Sequence, residues 1–168
     1  MSRQMDRAAF AVSQWRQEMP DLDLSAMEVL GRLSELALVI RRDHLVPVFA
    51  EFGLQDGEFD VLAALRRSGS PYRMTPTELY GVTMLSSGGM TARLDRLEKS
   101  GLIERLPNPA DRRGTLVQLS DKGRGLIERA LTAHSQNETR ILSALSEDEQ
   151  AQLGALMAKL LSGLPSGT

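Results

Sequence analysis

The sequence predicts a mainly α-helical fold with a small β-hairpin wing, a winged helix-turn-helix. Three observations lead there. Apolar residues recur at helical spacing through most of the chain. Two short helix signatures stand back to back between residues 75 and 100, and two short β-prone runs follow them. Charge is also segregated. Residues 66–115 hold nine basic and five acidic side chains, whereas residues 21–65 hold three basic and nine acidic ones. The net charge of −2 averages over that contrast. A basic block between acidic flanks is the pattern of a local polyanion site.

The elements follow in order. Residues 3–18 read as a helix that ends at Pro20. Asp23 or Ser25 caps the next one, and Ser25-Ala26-Met27-Glu28 has capping-box spacing. Met27, Leu30, Leu33, Ala37 and Ile40 form its stripe, widened by Leu36, Val39, Val48, Phe49 and Phe52. So broad an apolar face is buried on more than one side. Pro47 is expected to kink or end this helix. A third helix over 56–66 points Phe59, Leu62, Ala63 and Leu65 inward, and Ser68–Pro71 is a loop.

Thr75-Pro76-Thr77-Glu78 is a capping box with Pro at the first helical position. Its helix, 76–82, turns Leu79 and Val82 inward. After a turn near 83–85, Ser86 caps a helix with Met90, Leu94 and Leu97 on one face, stopped by Gly101. Residues 102–106 and 115–119 read as strands around a turn-rich loop at 107–114. Ser120 caps a long helix over 121–144, and Ser146-Glu147-Asp148-Glu149 is a third capping box. The last helix carries Leu153, Leu156, Met157, Leu160, Leu161 and Leu164, a stripe that by itself reads as intramolecular core.

Composition excludes several classes. Cysteine is absent, which removes disulfides, thiolate metal sites and thiol switches. His44 and His134 are the two histidines, too few for a His-built zinc site. No nucleophile–base pair or phosphate loop is legible, so neither an enzyme nor a cofactor is expected. No apolar run approaches the roughly 20 residues of a membrane span. The expected compartment is the cytoplasm, with no membrane partner. The seven aromatics lie mostly outside the basic block, against single-stranded RNA binding.

A winged helix-turn-helix places its second helix in the major groove of double-stranded DNA. Ser86, Ser87, Gly88, Gly89, Thr91, Arg93 and Arg96 are the candidate contacts there. Small residues at the helix tip allow close approach, and free backbone N–H groups bind phosphate. Arg112 and Arg113 stand at the wing tip, where an Arg can enter the negative minor groove.

Ser86–Gly125 resembles the MarR family of transcription regulators. The resemblance rests on Asp95-Arg96-Leu97-Glu98-Lys99-Ser100-Gly101-Leu102-Ile103-Glu104-Arg105, Pro109-Ala110-Asp111-Arg112-Arg113-Gly114 and Val117-Gln118-Leu119-Ser120-Asp121-Lys122-Gly123. It implies a MarR-like homodimer, paired through the long first helix and the last two helices, on a pseudo-palindromic operator. By the same resemblance Arg113 enters the minor groove and Asp111 steadies the wing through a nearby Arg. The chain adds an N-terminal helix with its one tryptophan, Trp15, and in this is similar to the urate-responsive PecS- and HucR-like subgroup. That subgroup's ligand residues match Trp15, Asp60, Arg93 and Arg105 here.

The implied ligand is urate, a flat and largely anionic molecule. An indole supplies an apolar platform with one N–H donor. Arg105 supplies a cationic fork. Asp60 repels an anion unless it protonates or moves, so it serves as a lever, with Arg93 as its natural partner. The implied function is a ligand-responsive repressor released by urate or a related purine. A repressor answering a phenolic or other aromatic acid, and a constitutive ligand-free DNA-binding protein, stay open. Three parts are expected within a single MarR-like chain, 1–168: the N-terminal and first dimerisation helices at 1–55, the winged helix-turn-helix at 56–120, and C-terminal dimerisation helices at 121–168.

Overall fold

In the computed structural model of the chain, residues 6–55, 57–83, 89–111 and 114–165 are described. They fall in two units, Met1–Asp56 and Gly57–Thr168.

The first unit is helical. Asp6 caps α1 (Arg7–Glu18) by accepting a 2.7 Å bond from the Ala9 amide. α1 packs on α2 (Ser25–Val39), with Val12 and Leu24 buried. Gly31 permits the approach, because a Cβ there would stand 3.0 Å from the Ala8 Cβ. Charged pairs edge the contact: Arg32 to Asp6 at 2.9 Å, Arg16 to Glu28 at 3.5 Å and Arg7 to Glu35 at 3.4 Å.

Two details differ from expectation. Leu24, not Ser25, occupies the N-cap of α2 and makes no side-chain cap bond. The Ser25 amide and hydroxyl both donate to Asp23, while the Glu28 carboxylate meets Arg16 and Arg32. Two guanidinium groups outcompete a neutral amide for one carboxylate. Pro47 does not end the helical run, although the regular α-helix is interrupted just before it. A π-helical turn, Ile40–Leu45, leads into α3 (Val46–Glu51), which places Pro47 in the first turn, where no amide is missed.

The second unit runs α4 (Glu58–Arg67), β1 (Arg73–Met74), α5 (Pro76–Val82), α6 (Met90–Lys99), β2 (Ile103–Pro107), β3 (Thr115–Leu119), α7 (Asp121–Leu142) and α8 (Glu147–Gly163). The three strands form an antiparallel sheet in the order β1-β3-β2. Ile103 faces Leu119 and Pro107 faces Thr115 in the hairpin, and Arg73 faces Gln118 on the other edge. β1 is absent from the sequence reading because a two-residue strand has no periodicity to detect. Leu62, Leu65, Leu79, Leu97, Ile103 and Ile127 anchor the core.

Thr75–Glu78 and Ser146–Glu149 form full capping boxes. Thr75 also holds the Glu78 carboxyl below its ordinary range by donating to it from backbone and hydroxyl. Three expected apolar placements change. Ala63 is only half-buried, while Val61 and Ala64 go inward. Val82 is exposed at the end of α5, where its carbonyl accepts from Arg67. The stripe of α8 is not core, for no residue of that helix is buried.

Candidate nucleic-acid interface

α6 is the second helix of the helix-turn-helix, and Met90, Leu94 and Leu97 bury its inner face. It begins at Gly89, whose φ of 100° lies in the left-handed region that favours glycine. A Cβ there would also come 3.0 Å from Nη1 of Arg93, a contact that this flexible side chain could relieve by a small shift. The Arg93 guanidinium thus lies over the tip of the helix, beside the backbone a phosphate would approach. Thr91 and Arg96 are exposed farther along. Ser86, Ser87 and Gly88 lie outside the described residues.

Three attachments hold α6. Arg105, on β2, bridges one flank, with Nη2 on Asp95 Oδ1 at 2.7 Å and Nη1 on Glu98 Oε2 at 3.0 Å. Asp95 and Glu98 are three residues apart and so present one edge of the helix to that fork. On the other flank Arg96 Nε donates to Glu58 Oε1 of α4 at 2.8 Å. The C-terminal end is clamped by the start of α7. Lys122 Nζ donates to the Ser100 carbonyl at 2.7 Å, and the Ser120 hydroxyl donates to the Gly101 carbonyl at 2.8 Å. Gly123 makes that clamp possible, since a Cβ there would fall 2.0 Å from the Leu102 carbonyl oxygen.

The wing turn is drawn together by its own backbone. The Asp111 amide donates to the Asn108 carbonyl, the Gly114 amide to Asp111, and the Asn108 amide to Gly114. Arg112 and Arg113, the wing-tip candidates, lie outside the described residues. Of the four candidate ligand residues, Trp15 stands half-exposed on α1 in the first unit. Asp60 on α4, Arg93 on α6 and Arg105 on β2 are half-buried in the second.

Sequence reasoning missed Glu58, Asp95, Glu98, Ser120 and Lys122 as supports of α6. Glu58 did leave a signal. It stands at i with Val61, Leu62 and Leu65 at i+3, i+4 and i+7, a carboxylate in phase with a buried stripe.

Comparison with known proteins agrees with this arrangement. The chain is 44% identical over 149 residues to the HTH-type transcriptional regulator PecS of Dickeya dadantii (strain 3937), covering 89% of each. A MarR family model matches residues 52–114, from just after α3 to the end of the wing turn. The chain belongs to the MarR family. The multiple antibiotic resistance protein MarR of Escherichia coli (strain K12) is 33% identical over 133 residues, 79% of this chain and 90% of its own. A crystal structure of a mutant E. coli MarR complexed with operator DNA superposes with a TM-score of 0.70 at 30% identity, covering 88% of this chain and 97% of that one.

The MarR assignment makes this a PecS-like, winged helix-turn-helix transcriptional regulator, and not an enzyme. MarR-family regulators bind operator DNA, and α6 holds the place of the second helix of the helix-turn-helix. No helix among the described residues is long and apolar enough to cross a membrane.

Proposed function

We propose that this MarR-family chain is a homodimeric repressor, held on a pseudo-palindromic operator and released from it by urate or a related purine. The observation that supports the switch is the double bridge from Arg105 to Asp95 and Glu98. Arg105 is the cationic fork expected to take an anionic ligand, and it is also a strut of the recognition helix. A purine anion at Arg105 competes with those two carboxylates and frees one flank of α6. The same anion repels Asp60 on α4, and in this reading Asp60 acts as the lever on Arg93 at the helix tip. The recognition helices then no longer match major grooves about 34 Å apart.

DNA contact in this reading falls to Ser86, Ser87, Gly88, Gly89, Thr91, Arg93 and Arg96, with Arg112 and Arg113 reaching from the wing. Exposed apolar side chains support self-association. Leu30, Leu33 and Leu36 stand out on α2, and Leu156, Leu160 and Leu161 on α8.

The test is a gel shift on the intergenic DNA upstream of the chain's own gene. Urate at about millimolar or lower concentration is expected to release the DNA. Asp60→Asn is expected to keep DNA binding and blunt that response. Release by salicylate-like acids, with none by urate or other purines, overturns the purine assignment.

A further inference from the structure

Glu58 is the first residue of α4, and its side chain is 6% exposed. Its partner Arg96 lies on the recognition helix with a side chain 42% exposed. The pair therefore joins a carboxylate sealed inside the unit to a guanidinium that reaches the surface. A buried charge is costly unless it is paired, although the first turn of α4 eases a negative charge through the helix dipole. Such pairs are poor sources of net stability, and their best-attested use is to specify geometry. What this one specifies is the orientation of Arg96.

A guanidinium carries five coplanar N–H donors. The bond to Glu58 takes the Nε–H. Four donors remain on the Nη nitrogens, in a plane that this bond sets. A long arginine on an exposed helix face otherwise samples many rotamers, and ordering it when DNA arrives costs entropy. Arg96 is already ordered from within.

We infer that Glu58 is a positioning residue for operator binding: from α4 it orients the Arg96 guanidinium so that the Nη edge meets a DNA phosphate without first having to be ordered. The inference rests on the placement of Arg96 against DNA given under the proposed function. It goes beyond that placement by assigning a role to a buried residue that touches no nucleic acid.

Fluorescence anisotropy with the full chain tests it, using a duplex selected from a random pool by the wild-type protein and titrated at several salt concentrations. Arg96→Gln weakens binding and makes the salt dependence shallower by about one contact per protomer. Glu58→Gln leaves the charge of Arg96 in place. It is expected to keep the wild-type salt slope yet lose about five- to tenfold in affinity, and to lose nothing further when Arg96 is already Gln. Arg96→Lys is a surface change that keeps the charge but has no Nε–H. It is expected to behave like Glu58→Gln, and it covers the case in which the buried substitution fails to fold. Equal losses from Glu58→Gln in both backgrounds would mean a merely structural role and would overturn the inference. So would wild-type affinity in Arg96→Lys or in Glu58→Gln. If Arg96→Gln changes neither affinity nor slope, the placement of Arg96 on DNA is itself wrong, a result distinct from failure of the positioning role alone.

Discussion

α6 and α8 carry comparable apolar stripes and meet opposite fates. On α6, Met90, Leu94 and Leu97 are all buried within the chain, and the flanks are tied by Glu58–Arg96 and by Arg105 with Asp95 and Glu98. On α8, Leu156, Met157, Leu160 and Leu161 are exposed, as is Leu164 at its C-cap, and Leu161 keeps 71% of its surface. A stripe at helical spacing shows that a helix face is buried somewhere. It does not distinguish the chain's own core from a second copy. The buried stripe of α6 is accompanied by charged struts on both flanks.

Leu97→Ala and Leu161→Ala break the comparison most directly. The first is expected to cost about 3 kcal/mol of folding stability, because it leaves a cavity in a filled core. The second leaves the fold of one chain nearly unchanged and instead weakens self-association. Urea denaturation reads the first effect and sedimentation velocity the second. Equal stability losses in the two variants would show that α8 is core after all.

Gly123→Ala attacks the clamp on α6. Its new Cβ meets a backbone oxygen, which cannot rotate away as a side chain would. A loss of about 2 kcal/mol is expected in a thermal melt, as for an overpacked core. Arg105→Gln releases one flank only. Its partners are substantially solvent-exposed, so the expected change is about 1 kcal/mol or less. Hydrogen exchange should quicken in α6 and stay unchanged in α8.

The smallest effect expected is on pH. Glu78 and Asp6 are both held below their ordinary values, Glu78 by bonds from Thr75 and Asp6 by the Ala9 amide and Arg32. A depressed folded value means that their stabilisation is complete above the unfolded value of about 4 and fades as pH falls through the folded one. Melting temperature should therefore drop below about pH 4, and less steeply in Glu78→Gln. A slope unaltered by that change would remove the capping box from the acid transition.

Much of the candidate site was legible because it rests on local chemistry. Thr75-Pro76-Thr77-Glu78 and Ser146–Glu149 announce helix starts through contacts three residues long, and Gly101 marks a stop through its own φ of 71°. The Ser25–Glu28 box had the same spacing and failed, because Arg16 and Arg32 reach Glu28 from elsewhere. Arg93, Arg96 and Arg105 were legible as candidates. That Arg96 is held by a carboxylate of α4 was not, since Glu58 lies 38 residues before it.

The sequence by itself determined the helix starts, the hairpin, the segregation of positive charge and the order of the recognition elements. The helix starts depend on residues within a turn of one another, and the hairpin and the charge block on contiguous stretches of the chain. Only the tertiary structure decided that a two-residue strand completes the sheet, that Gly123 is required by the Leu102 carbonyl, and that α8 keeps its leucines outside the chain's own core. It also decided that Glu58 lies buried beneath Arg96. The reason is physical. Pattern and propensity report which face of an element avoids water, and packing alone settles which group it meets there.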